Sequence, residues 1–186
     1  MGLSQTQALL ARLFTDAGLR RAFFDAPQET ARRFGLSDRE AASMAALDRR
    51  EVEDFAQSLL GKRALDARKA LPLTAKALGD DFNRLLFEAI EGPPAPQRHR
   101  ADAAALTKIL HERRAAFGWI ADLARYEMAF VAAARPGAFF LLRRFAFPVD
   151  DIARQLVAGA PVAATPRPRL GFWLRAPGGR LFWRLL

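Results

Sequence analysis

The chain contains no cysteine, only two histidines and a single tyrosine in its 186 residues. The missing cysteine removes disulfide scaffolds, thiolate metal sites and cysteine nucleophiles at one stroke. His99 and His111 have no ligand spacing between them, and each reads as an ordinary surface residue. Serine and threonine are sparse, and none falls in a recognisable nucleophile–base arrangement. Pro177-Gly178-Gly179-Arg180 is too short for a phosphate loop and lacks its Lys-Ser/Thr ending. Asp80-Asp81 and Asp150-Asp151 read as helix caps, not as paired catalytic carboxylates. The inventory therefore predicts no catalytic residue, no metal ligand and no cofactor in this chain.

Long apolar runs are missing as well. "MAFVAAA" is stopped by Arg135, far short of the ~18 residues that cross a bilayer. The opening "MGLSQTQALLARLF" has no basic segment ahead of an apolar core, so no signal peptide is expected. A cytoplasmic protein with no membrane partner is the expectation.

Half of the residues, 51%, are apolar, enough for a real core. The net charge of +9 is unevenly placed. Residues 1–92 hold 14 basic and 14 acidic side chains, whereas residues 93–186 hold 15 against 6. Arginine supplies 25 of the 29 basic residues, which suggests a coding bias. Bias accounts for arginine over lysine, but not for the loss of acids. The C-terminal half is expected to meet an acidic partner.

Helix signals punctuate the first half. Ser4 with Gln7, Ser37 with Glu40 and Asp48 with Glu51 have capping-box spacing, Pro27 suits a first helical position, and Gly35 suits a stop. Short helices are predicted at about 4–15, 17–25, 27–34 and 37–46, followed by a long one over 48–71. In the long helix Val52, Phe55, Ala56, Leu59, Leu60 and Ala67 form one apolar stripe. Pro72 breaks or kinks it, and a last helical stretch with Leu85, Leu86 and Ile90 ends at "EGPPAP". The predicted organisation is a helical domain over 1–92, a Pro-rich linker at 93–97 and an α+β domain over 98–186.

Two further helices are predicted, 102–117 and 119–134, divided at Gly118. Glu127 lies inside the second helix's apolar stripe of Trp119, Ile120, Leu123, Phe130 and Val131. A buried carboxylate needs a partner. A catalytic acid and a structural ion pair are the two readings. The structural one is preferred, with Arg143 or Arg144 as the expected cation. Beyond Pro136-Gly137, "AFFLLRRFAF" is rich in strand formers, and "VDDIARQLVAG" is a short helix capped by Asp150. "WLRAPGGRLFWRLL" then alternates large apolar residues about a Gly-Gly turn, the pattern of a β-hairpin. The fold class expected is mainly α, an N-terminal helical bundle with a small antiparallel three-stranded sheet near the C-terminus.

Arginine interleaved with aromatics fits nucleic acid, and equally an acidic peptide laid along a strand edge. "FAQSLLGKRALDARKALPLTAKALGDDFNRLL" (Phe55 to Leu86), "WIADLARYEMAF" (Trp119 to Phe130), "LLRRFAFPVDDI" (Leu141 to Ile152) and the closing hairpin give the chain its resemblance to a known family. In their order and spacing these segments resemble the HvfC/BufC-type partner proteins of multinuclear non-haem iron oxidases. The resemblance implies a non-catalytic partner that binds a ribosomally synthesised precursor peptide and presents it to the oxidase. The iron would belong to that oxidase, and the two proteins would form a heterodimer. The "RAPGGR" turn and the PRPR connector depart from many relatives, so the peptide type is not carried over.

The expected peptide-binding residues are Arg143, Arg144, Phe172, Trp173, Arg175, Arg180, Trp183 and Arg184. The arginines flanking the hairpin, Arg175, Arg180 and Arg184, would discourage self-pairing and attract an acidic strand. The alternative reading is a DNA-binding protein using the basic C-terminal surface. A third, "RLFWRLL" lying on anionic membranes, is the weakest because the alternation reads as strand.

Overall fold

The computed structural model describes residues 2–90 and 98–186; the expected linker at 93–97 lies outside the described residues, as does the side chain of His99. The described residues form ten helices and one sheet. The N-terminal helices are α1 (Gly2–Thr15), α2 (Ala17–Asp25), α3 (Pro27–Arg33), α4 (Asp38–Ala45) and α5 (Arg49–Ala70). They are followed by α6 (Pro72–Leu78), α7 (Asp81–Ala89), α8 (Arg98–Glu112) and α9 (Arg114–Ala133). The last segment comprises β1 (Phe139–Phe145), α10 (Val149–Ala158), β2 (Arg169–Arg175) and β3 (Phe182–Leu185).

Two compact units divide within α5. One holds Met1–Leu65, the other Asp66–Ala89 and His99–Leu186. Residues 66–89, expected with the N-terminal helices, thus belong with the sheet.

In the first unit the local signals act largely as the sequence predicts. Pro27 opens α3, where a missing N–H costs nothing. Gly35, at φ +81°, lets the chain turn so that the Leu36 N–H donates to the Ala31 carbonyl at 3.3 Å. Ser37 and Glu40 form a full capping box ahead of α4, and Asp48 accepts from the Glu51 N–H at 2.9 Å. Ser4 is not a cap, because α1 already starts at Gly2. These helices bury Leu9, Leu13, Phe23, Ala31, Met44 and Val52 in one core.

In the second unit, Gly118 interrupts the helical path where the sequence predicts a division. Its backbone (φ 41°, ψ −108°) is non-helical and kinks α9 there, and a second, unexpected break at Arg113 parts α9 from α8. Asp150 and Asp151 lie in the first turn of α10, whose N-cap is Pro148 and not Asp150. There they face Arg169, at 3.7 and 3.6 Å.

The sheet has order β1-β2-β3 and is antiparallel throughout. Phe145, Gly171 and Trp173 face inward and are buried, together with Leu123 and Tyr126 of α9 and with Val149, Ile152 and Leu156 of α10. Trp183, opposite Trp173, is less covered and reaches Tyr126 and Phe130, with ring centroids 6.1 and 5.2 Å away. Among the described residues nothing covers the other face. Phe140, Leu142, Leu170, Leu174, Phe182 and Leu186 are exposed there beside Arg144 and Arg184.

Candidate functional site

Glu127 is buried as expected, but its partners are not. Oε1 accepts from the Leu73 N–H at 2.7 Å, and Oε2 accepts from the Thr74 N–H at 2.9 Å and the Thr74 hydroxyl at 2.6 Å. These are early N–H groups of α6, which has no side-chain cap of its own. Glu127 therefore caps α6 from 53 residues away, with the helix dipole adding to the hydrogen bonds. Arg143 and Arg144, the expected cations, stay exposed on β1. Burial pushes the carboxyl above its ordinary range despite the three donors.

Asp122, one turn earlier on α9 and 1% exposed, was not singled out by its sequence. It accepts from the N–H groups of Ala146 and Phe147, at 2.5 and 3.3 Å, where the chain leaves β1. Its other oxygen accepts from Arg125 at 2.9 Å. The Arg125 guanidinium also lies 5.5 Å from the centroid of the Phe145 ring. Asp122 thus anchors the end of β1 and fixes Arg125 in place.

Arg125 opens onto a cleft of 520 Å³ bounded by α8, α9 and β1. Its apolar part is made by Ala104, Met128, Ala129, Ala132, Phe139 and Leu141. Its basic part is made by Lys108, His111, Arg125 and Arg143. An adjoining cleft of 380 Å³ shares His111 and Arg125 and adds Arg114 and Arg144. Lys108 has a loose surface partner in Glu112 at 3.8 Å. Such pairs are screened by solvent and easily exchanged.

The cleft runs beside the sheet's edge strand, and the backbone there has a definite polarity. Leu170 and Leu186 exchange both N–H···O bonds, at 3.1 and 2.9 Å, so Leu170 directs its backbone groups toward β3. Alternation along β2 then turns Gly171 and Trp173 toward β1, where they pair with Arg143 and Leu141. The next alternation places the N–H and C=O groups of Phe140, Leu142 and Arg144 on the outer side of β1.

The eight residues expected to bind a peptide do not share one surface. Arg143 alone faces the cleft from the inner side of β1. By register Arg144, Phe172 and Arg184 belong to the opposite face, where Phe172 lies against Phe182 with ring centroids 5.8 Å apart, and Arg144 borders the adjoining cleft from the end of β1. Trp173 is fully buried and is a core residue. Trp183 covers the aromatic cluster of Tyr126 and Phe130, and Arg180 precedes β3 in the turn. Arg175 is engaged at home, donating to the carbonyl of Gly137 at 2.9 Å and to that of Arg135. Lys108, His111 and Arg125 are the cleft residues the sequence reading did not propose. Lys108 and His111 are one turn apart on α8, but only the fold shows that this turn faces a strand edge.

Among the described residues no three His, Asp or Glu side chains cluster to hold a metal, and no helix is long and apolar enough to cross a membrane. Searches for similar proteins find no match among family models, curated proteins or solved structures.

Proposed function

We propose that this chain is a non-catalytic partner protein that binds a ribosomally synthesised precursor peptide and presents it to a multinuclear non-haem iron oxidase. The observation that carries the reading is the outer edge of β1 lying beside a basic, partly apolar cleft. An extended segment added to an edge gains backbone hydrogen bonds, and adjacent pockets select its side chains. The edge formed by β3 is shorter, four residues against seven. The exposed apolar face of the sheet supports the second half of the reading, since a patch of this kind marks a contact with another protein.

The test begins with the genes next to this one, where a short precursor and an iron oxidase are expected. Co-expressed, the oxidase should co-purify with this chain and modify the precursor only in its presence. A salt titration separates peptide from DNA, since phosphate contacts make affinity fall steeply with salt. Tight, strongly salt-dependent binding to duplex DNA, with no affinity for the precursor, would overturn the proposal.

A further inference from the structure

We infer that the cleft beside β1 selects an extended peptide in which an acidic side chain is followed, at alternate positions, by small or medium apolar side chains. The inference rests on the peptide-binding reading and adds the chemical class of the peptide.

The backbone polarity of β1 sets the register. An added strand forms its hydrogen bonds with Phe140, Leu142 and Arg144, whose N–H and C=O groups point outward. The peptide residues opposite Phe139, Leu141 and Arg143 then lie between those bonds. Their side chains fall on the inner face, the side of the cleft. The residue opposite Arg143 meets Arg143, Arg125 and His111. Among the described residues no carboxylate engages Arg143, and Asp122 leaves most of the Arg125 fork available, binding it through Nη1 alone. A carboxylate there gains charge-assisted hydrogen bonds. The residues opposite Leu141 and Phe139 meet Met128, Ala129 and Ala132, where a carboxylate would be desolvated without a partner. The peptide's other side chains face outward beside Phe140, Leu142 and Arg144, which are exposed and constrain them less.

The probe is a fluorescein-labelled nine-residue peptide, Val-Thr-Val-Thr-Glu-Thr-Val-Thr-Val, whose symmetric pattern reads alike in either strand direction. Fluorescence anisotropy with the full chain measures its affinity. Replacing the central Glu by Gln or by Thr should each weaken binding about tenfold. In Arg143→Glu the preference for a central Glu over Gln should be lost. Equal affinity for all these peptides would overturn the inference and leave peptide binding standing. If none binds while the neighbouring gene's precursor does, the cleft is not the site and the inference fails alone. If the precursor fails as well, both readings fall. Arg143 is exposed, so the variant's fold is checked independently by its unaltered circular dichroism.

Discussion

One oxygen of Glu127 accepts hydrogen bonds from both the backbone N–H and the hydroxyl of Thr74, at 2.9 and 2.6 Å. Together with the Leu73 N–H at 2.7 Å, these bonds tie α9 to the first turn of α6. Glu127→Ala leaves three donors without their acceptor in a buried place. A loss of roughly 2–4 kcal/mol is expected, set by desolvated donors and not by a stranded cation. Chemical denaturation measures it, and a change below about 0.5 kcal/mol, the range of ordinary surface substitutions, would contradict the capping role.

The same carboxylate gives a pH signature. Burial raises its folded pKa above the ordinary 4.5, so between that value and the folded pKa the native state holds a proton that the unfolded chain has lost. Its stabilising contribution is complete below 4.5 and declines as pH rises through the folded value. Glu127→Gln cannot titrate. The stability of the parent minus that of Glu127→Gln should therefore fall as pH rises from 4.5, then level off. A difference that grows with pH would mean that the donors outweigh burial.

Tyr126 offers a clean optical test because it is the only tyrosine in the chain. Burial among Phe130, Phe145 and Trp173 favours the neutral phenol and pushes its pKa up to about 12. Tyrosinate absorbance should appear near pH 12 in the native protein and near 10 in denaturant. The stabilisation is complete below pH 10 and is lost as pH rises through about 12. A native midpoint close to 10 would place the ring in water.

What was legible in the sequence was local. Pro27 and the Ser37–Glu40 pair mark helix starts and Pro72 marks the end of the long helix, all through local contacts, and the structure uses each of them. The Gly-Gly turn and the alternation around it announced the hairpin for the same reason. Glu127 was recognisable as a buried charge by its place in an apolar stripe, yet its partner lies 53 residues away on another helix. No periodicity encodes that distance. The cleft was hidden likewise, since Lys108 and His111 on α8 meet Arg143 of β1 only through the fold. Trp173 and Trp183 share one alternating pattern, but β2 is the central strand and β3 an edge. One is core and the other a partial cover.

Gly171 shows close packing inside the sheet. A Cβ at this position would lie 2.8 and 2.9 Å from two ring carbons of Trp173 and 3.1 Å from the Phe145 ring. Alanine would gain about 0.5–1 kcal/mol by restricting the unfolded chain and favouring regular structure. Overpacking costs about 1–3 kcal/mol and should win, because both rings are fully buried. Gly171→Ala is expected to lower the denaturation midpoint, with altered near-ultraviolet circular dichroism from the aromatic cluster. A stabilised variant would show that the indole can swing aside.

Arg175 and Arg184 look equivalent in the sequence, two arginines flanking the same turn, but the structure separates their roles. Arg175 is half-buried and donates to the carbonyls of Gly137 and Arg135, closing the segment that leads into β1. Arg184 stands exposed on the outer face opposite Phe172. Replacing Arg175 by Glu removes two donors and puts a carboxylate against carbonyl oxygens, so a loss of roughly 1–3 kcal/mol is expected. Arg184→Glu should change stability by no more than about 0.5 kcal/mol. Peptide binding at β1 should survive Arg184→Glu, because that side chain lies on the far edge strand and the opposite face. It should weaken in Arg175→Glu only as far as the entry to β1 loosens, an effect visible as faster amide exchange at Phe139 and Phe140. Equal stability losses in the two variants would show that the Arg175 contacts contribute nothing. A loss of binding confined to Arg184→Glu would move the peptide from the cleft to the hairpin.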